Sequence, residues 1–306
     1  MKTMLAVAMV GLLALPLAGE AQTCAGHPAR SIGGVQNSWA LDGGGLAAFA
    51  KMNINLDGYG HAYHPSNFAG GALIHLCNAG KVYLPDGSSF QGSENNATCT
   101  GRFMDAFKRV GQAGWKDPTV GAINWFGILG RGSATIHGRQ VQDVMPVTQK
   151  DGSGFFVSRT SFFDASVTDP ADQARYINPL RVPAAVIPGS LASQGIRMGT
   201  FGVAIDTREK IAVPFVVGDG GPRIGEGSAA LARLVAGQPL TDDVTHQTRG
   251  VGQVDTPSVL WVFFGGQPTT YDHNQEGKLA DDAEQAFTRW GSQARLQQCL
   301  AVVPKN

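Results

Sequence analysis

Short apolar runs bounded by turn residues dominate the chain. Residues 81–85, 120–128, 141–147, 154–159, 184–188, 201–205, 211–217 and 259–264 are rich in Val, Ile and Phe and lie between Gly, Pro and Asp clusters. Runs of this length and punctuation predict strands. The run 201–205, the polar stretch Asp206-Thr-Arg-Glu and a second run from Lys210 predict a β-hairpin.

Helical periodicity emerges in three places. Phe103, Phe107 and Val110 fall at i, i+4 and i+7, with Gly111 as a stop. Residues 229–236 are rich in Ala and Leu and end at Gly237. Ala283, Phe287, Trp290 and Ala294 mark one C-terminal helix. Asp281, Asp282 and Glu284 are expected in its first turn, where negative charge suits the macrodipole. The polar stretches 92–96 and 167–175 read as loops. The segment after Leu240, including Trp261-Val-Phe-Phe264, reads as packing. With no internal repeat and no linker, the expected fold is a β-rich α+β single domain with helices at its periphery.

Composition narrows the setting. Lys2 precedes an apolar run, 4–17, which Pro16 interrupts; small residues Gly19 and Ala21 follow. This order predicts a signal peptide over residues 1–21 and an exported chain over 22–306. The run is too short to span a bilayer comfortably and no other stretch is long enough, so no membrane anchor is expected. Lys+Arg and Asp+Glu are both 24, without basic clusters, which argues against a nucleic-acid partner. The four cysteines, Cys24, Cys77, Cys99 and Cys299, predict two disulfides in an exported protein. Three pairings are open; Cys77–Cys99 closes a local loop and Cys24–Cys299 ties the ends. A monomer is the simplest expectation.

The chain carries no Gly-x-Ser-x-Gly, His-Glu-x-x-His or Walker A sequence. His61-Ala-Tyr-His64 has no third ligand nearby in sequence and reads as two hydrogen-bonding histidines, so neither a metal nor an organic cofactor is expected. Asn96-Ala97-Thr98 fits a glycosylation acceptor. The most informative stretch runs from Val216 to Ser228. Asp219 ends an apolar strand, a glycine-rich loop follows, and Glu226 is expected to open a helix near Ser228. Two carboxyls across a tight loop suit glycoside hydrolysis, which needs one acid to protonate the leaving oxygen and one carboxylate to activate water or attack. The same spacing also fits a plain strand–turn–helix corner. A helix N-terminus would moreover lower the pKa of Glu226, against the needs of a general acid.

The segment Gly218-Asp219, a Gly-rich loop, Gly225-Glu226-Gly-Ser228 and an alanine-rich helix resembles the active-site segment of glycoside hydrolase family 75, the secreted chitosanases. That family carries Gly-Asp-Thr-Asn and then Gly-Glu-Ala-Ser. The resemblance extends from Lys51 to Ala236, through Asn53-Ile-Asn-Leu-Asp57-Gly58, Val186-Ile-Pro188 and the hairpin from Gly202 to Phe215. It implies a β-barrel of the double-psi kind. It also implies endo-cleavage of β-1,4 bonds in chitosan with inversion, with Glu226 as acid and Asp219 as base. Asp57 then binds a sugar amino group or merely turns the chain with Gly58. Tyr59, Tyr63, Trp125 and Phe126 stack on sugars or belong to the core. Gly220-Gly221 replaces Thr-Asn, the loop is shorter than in fungal members, and Asn53 and Asn55 stand where acids are usual. The last change removes charge that would attract a polycation. The alternatives are another amino-sugar glycan such as peptidoglycan, or a non-catalytic glycan- or wall-binding protein.

Overall fold

A computed structural model describes residues 23–92, 98–242 and 244–306. The signal segment 1–21, Asn96 and Ala97 of the glycosylation acceptor, and most of loop 92–96 lie outside the described residues.

The strands in chain order are β1 (Gly26–Ala29), β2 (Ser38–Leu41), β3 (Leu46–Asn55), β4 (Gly80–Tyr83), β5 (Ser89–Gln91), β6 (Ala122–Trp125), β7 (Gly130–Ile136), β8 (Arg139–Pro146), β9 (Ala184–Ile187), β10 (Phe201–Asp206), β11 (Ala212–Gly220), β12 (Glu226–Ser228) and β13 (Val254–Gly265). The helices are α1 (Phe103–Gln112), α2 (Ala229–Val235), α3 (Glu276–Trp290) and α4 (Ser292–Val302). Strands β3, β12, β9, β11, β10 and β13 pair in that order, and β13 returns to pair with β3, closing a six-stranded barrel. Strands β1 and β2 extend it beside β3. The expected β-rich α+β architecture, a barrel with peripheral helices, is what the chain adopts. Two pairs, β3 with β12 and β9 with β11, are parallel; the remaining barrel pairs are antiparallel.

Alternation along the strands explains both their apolar runs and the barrel filling. Leu46, Ala48, Ala50 and Met52 of β3 point inward with Val259, Trp261 and Phe263 of β13. Phe215 and Val217 of β11 and Ala185 and Ile187 of β9 complete the interior, and α2 closes it with Leu231 and Val235. The alternate residues Ala47, Phe49, Val203, Ile205, Leu260 and Val262 face outward beneath α3 and α4, against Phe287, Trp290 and Leu296. These strands are buried on both faces, so they read as continuous apolar sequence. The packing role expected for Trp261 and the C-terminal helices is seen here.

Residues 56–183 form a lobe between β3 and β9. Its sheet orders β5-β4-β6, its hairpin pairs β7 with β8, and α1 packs on them through Phe103, Ala106 and Val110. The stretch 154–159 is not a strand; Phe156 and Ser158 make single bridges to Thr148 and Ile128. The expected C-terminal helix is two, α3 and α4, broken at Gly291 with φ 125°. The first begins at Glu276, so Asp281, Asp282 and Glu284 lie within it rather than in its first turn.

Two disulfides join Cys24 to Cys299 and Cys77 to Cys99, each with Cα atoms 5.1 Å apart. The first clamps the chain ends against the outer barrel face. Alkylation of the unreduced protein followed by mass spectrometry is expected to label no cysteine, and the paired substitution Cys24→Ser with Cys299→Ser to cost about 2–5 kcal/mol in denaturant unfolding. Labelling of two or more cysteines would contradict the pairing.

Candidate active site

One row of residues across the barrel wall builds the site. Val186 of β9 pairs with Asp219 of β11 on one side and with Glu226 of β12 on the other, and Glu226 pairs in turn with Asn53 of β3. Residues opposite one another across a ladder point to the same face. The sequence neighbours Ala185, Ile187 and Met52 point into the barrel, so this row points out, toward the lobe. With strands about 4.8 Å apart, the Cα atoms of Asp219 and Glu226 stand roughly 9–10 Å from one another.

Asp219 reaches that face through a bulge. Phe215 and Val217 face the barrel core, and strict alternation would send residue 219 after them. Val217 pairs with Ala185 and Asp219 with Val186, which leaves Gly218 as the extra residue and reverses the phase. Only glycine fits there: a Cβ would lie 2.8 Å from the Ala184 Cβ and 3.1 Å from Ile177 Cδ1. Glu226 is a strand residue and does not open the helix, contrary to expectation. Ser228 caps α2, its Oγ accepting from the Leu231 N–H at 3.1 Å. Glu226 is therefore clear of the helix terminus that would have held its pKa down.

The third carboxyl comes from the segment after β3. Asp57 Oδ1 accepts a 2.5 Å hydrogen bond from Tyr63 Oη, and the Asp57 N–H donates to Asn55 Oδ1 at 2.5 Å. Gly58 turns the chain at φ 94°, where a Cβ would meet the Ile177 carbonyl oxygen at 2.0 Å. Its N–H donates to Ser158 Oγ at 2.9 Å. The turn belongs to Gly58, and the Asp57 carboxyl faces the same cleft as the acid pair.

All three carboxyls are pushed above the usual carboxylate range. Burial is the largest cause for each. The Asp219 charge raises Asp57 further, the Tyr63 hydroxyl opposes it, Glu226 adds to it, and Arg159 counters; Asp57 ends well above its ordinary value. For Glu226 the Asp219 charge comes second to burial, with Arg223, Lys51 and the Asn55 amide pulling the other way. Asp219 differs in kind. Its Oδ1 accepts 2.8 Å hydrogen bonds from the Ser161 N–H, the Ser161 hydroxyl and the Gly220 N–H, all of which favour the charged form. Among the described residues Glu226 has no such set of backbone donors. Of this pair, Asp219 is the better supported in its charged form and Glu226 the better suited to carry a proton.

The carboxyls floor a long cleft between barrel and lobe. One cavity of about 520 Å³ includes Glu226, Asn53 and Tyr63; another of about 430 Å³ includes Asp219 and Ser161. They meet at a neck of Asp57, Phe126 and Gly220, which line both. A further 270 Å³ continues past Arg249 and Gln253. Tyr63 is buried and reaches the cleft with its hydroxyl. Tyr59 is not on the cleft wall; it packs half-buried in the lobe with its ring 5.4 Å from His61. Trp125 is a core residue whose Nε1 donates to the Val144 carbonyl at 3.1 Å. The exposed rings on the cleft are Phe126, at 45%, and Phe163, at 38%, the second of which sequence reasoning missed. His61 and His64 both flank Phe155, 4.7 and 5.1 Å from its ring. Among the described residues, Asp164, Asp272 and His273 alone bring three potential metal-ligand atoms within 4.8 Å of one another. Asp164 is already held by the Ser166 and His273 side chains.

The raised carboxyls predict a pH signature. The folded protein binds a proton at Glu226 that the unfolded chain releases, so stability is full below the unfolded value near 4.5 and is lost as pH rises through the raised one. Glu226→Gln abolishes that loss. Its melting temperature is expected above wild type at pH 7, with the gap closing below pH 4. A variant less stable than wild type at pH 7 would contradict the burial argument. No protein-family model matches the chain, and no curated protein matches it.

Proposed function

We propose that the protein is an exported endo-acting glycoside hydrolase that cleaves β-1,4 bonds in an amino-sugar polysaccharide with inversion. Chitosan is the polymer the family resemblance implies. The observation that carries this reading is the row itself: Asp219 and Glu226 flank Val186 from neighbouring strands and face one cleft. Glu226 protonates the glycosidic oxygen as the bond breaks. Asp219, its charge supported by Ser161 and Gly220, takes a proton from a water that attacks the anomeric carbon from the opposite face. Two strand spacings between the backbones leave room for that water, since inverting pairs stand ~6.5–9.5 Å apart and nucleophilic pairs about 5 Å. Asp57 sits at the neck, where it contacts the sugar beside the scissile bond.

The cleft's length favours internal cleavage. It continues on both sides of the neck, so a polymer can lie through it without presenting an end. Phe126 and Phe163 offer faces for sugar rings. The 1–21 signal and the two disulfides suit an oxidising compartment outside the cytoplasm.

Reducing-end assays on soluble chitosan, chitin and glycan strands of N-acetylglucosamine and N-acetylmuramic acid test the class. Glu226→Gln and Asp219→Asn are each expected to lower kcat about 10²–10⁴-fold while remaining folded. Glu226→Gln recovers rate on a substrate with an acidic leaving group, which departs unprotonated; Asp219→Asn does not, but responds to azide. A folded variant of either kind with near-native activity would make the corner structural.

A further inference from the structure

The cleft carries charge of opposite sign at its centre and along its arms. Among the described residues its lining carboxyls are Asp57, Asp219 and Glu226, all around the neck. Arg175 lines the 430 Å³ arm, and Arg249 lines the 520 and 270 Å³ cavities on the other side. Among the described residues neither guanidinium has a carboxylate within salt-bridge distance. Arg159, by contrast, is neutralised by Asp143 at 2.9 Å.

Both arginines are held in place by contacts that leave them without a carboxylate partner among the described residues. Arg249 is half-buried; its Nη1 donates to the Leu73 carbonyl at 2.6 Å and its guanidinium stands 5.3 Å from the Phe68 ring. Arg175 lies 4.1 Å over Phe163 and donates to the Val167 carbonyl. A carbonyl and a ring orient a guanidinium but leave its charge and its remaining donors unsatisfied. Burial disfavours a lone cation, and that cost for Arg249 is recovered only when an anion arrives. Lys51 and Arg223, which act on Glu226, are likewise without carboxylate partners among the described residues.

We infer that the two arms of the cleft bind sugars bearing carboxylate groups, so that the preferred polymer is an acidic amino-sugar glycan and not polycationic chitosan. The β-1,4 amino-sugar backbone rests on the hydrolase reading; the carboxylates rest on the arginines alone. A fully deacetylated chain would set an ammonium in every sugar, and those in the arms would meet Arg175 and Arg249 as like charges. A carboxylate there forms a planar, two-bonded pair with either guanidinium. Phe163, beneath Arg175, holds the guanidinium at the wall of this arm. The centre does not cancel this preference, because its carboxyls line the neck while the guanidiniums lie in the arms.

The test compares glycan strands of N-acetylglucosamine and N-acetylmuramic acid, which carry carboxylates, with neutral glycol chitin and with soluble chitosan. Both kinetics on wild type and binding to the Asp219→Asn variant are measured. Wild type is expected to show the lowest KM on the acidic strands, with an affinity that falls as salt rises. Arg175→Gln with Arg249→Gln is expected to raise the ratio of acidic to neutral KM about tenfold or more. Arg175→Lys with Arg249→Lys keeps the charge and restores part of that ratio, which separates charge from packing. Acidic strands bound in an arginine-dependent way but never cleaved would leave this inference standing and remove the hydrolase reading. Cleavage of chitosan in preference to the acidic strands, with the ratio unmoved by the glutamine variants, would overturn the inference and leave the hydrolase reading intact.

Discussion

The pairing of β9 on both its edges is the constraint on which the site depends. A strand of four residues, Ala184–Ile187, holds β11 parallel on one side and β12 antiparallel on the other. Val186 thereby fixes the spacing of Asp219 and Glu226 by backbone hydrogen bonds rather than by side-chain packing. Barrel closure through β13 and β3 removes the free edge that would let this spacing drift. The same closure fills the interior with Trp261, Phe215 and Phe263, whose ring centroids lie within 5.4 to 6.4 Å of one another. A rigid floor of this kind is what a two-carboxyl reaction needs, because a misplaced proton donor loses much of its advantage.

The floor stores an electrostatic cost. Three carboxyls converge where burial and mutual repulsion both oppose ionisation, so the folded chain is less stable at neutral pH than one without them. The surrounding groups divide this burden unequally. Ser161 and Gly220 support charge on Asp219, Tyr63 steadies Asp57, and Glu226 is left to hold a proton. Unequal support of like groups is how a pair of carboxyls acquires two different roles.

Much of this was legible in the sequence where the local signal was strong. Residues 184–188, 201–205 and 259–264 read as strands because Val, Ile and Phe follow one another between turn residues. Helix α1 was visible in its periodic Phe103, Phe107 and Val110. The longest inner strand of the first half, β3, was not, because Leu-Ala-Ala-Phe-Ala-Lys-Met has few β-branched residues and only its partners make it a strand. Glu226 was placed on a helix because the alanines after Ser228 are helical; the pairing of Glu226 with Asn53 and Val186 joins segments far apart in the chain. Asp57, Asp219 and Glu226 stand out in the sequence beside their glycines. Phe163, Arg175 and Arg249 do not, since they reach the cleft from a loop, a three-residue 3-10 helix and a turn whose positions no local pattern encodes.

The central claim is that Asp219 activates a water while Glu226 donates a proton, and the first sugar product reports on it directly. Proton NMR of the nascent reducing end, recorded within the first minutes on a β-linked amino-sugar oligomer, reads its anomeric configuration before mutarotation. The account predicts the α-anomer first, with the β-anomer growing in afterwards. A β-anomer appearing first would mean attack by a carboxylate and retention, and would contradict it.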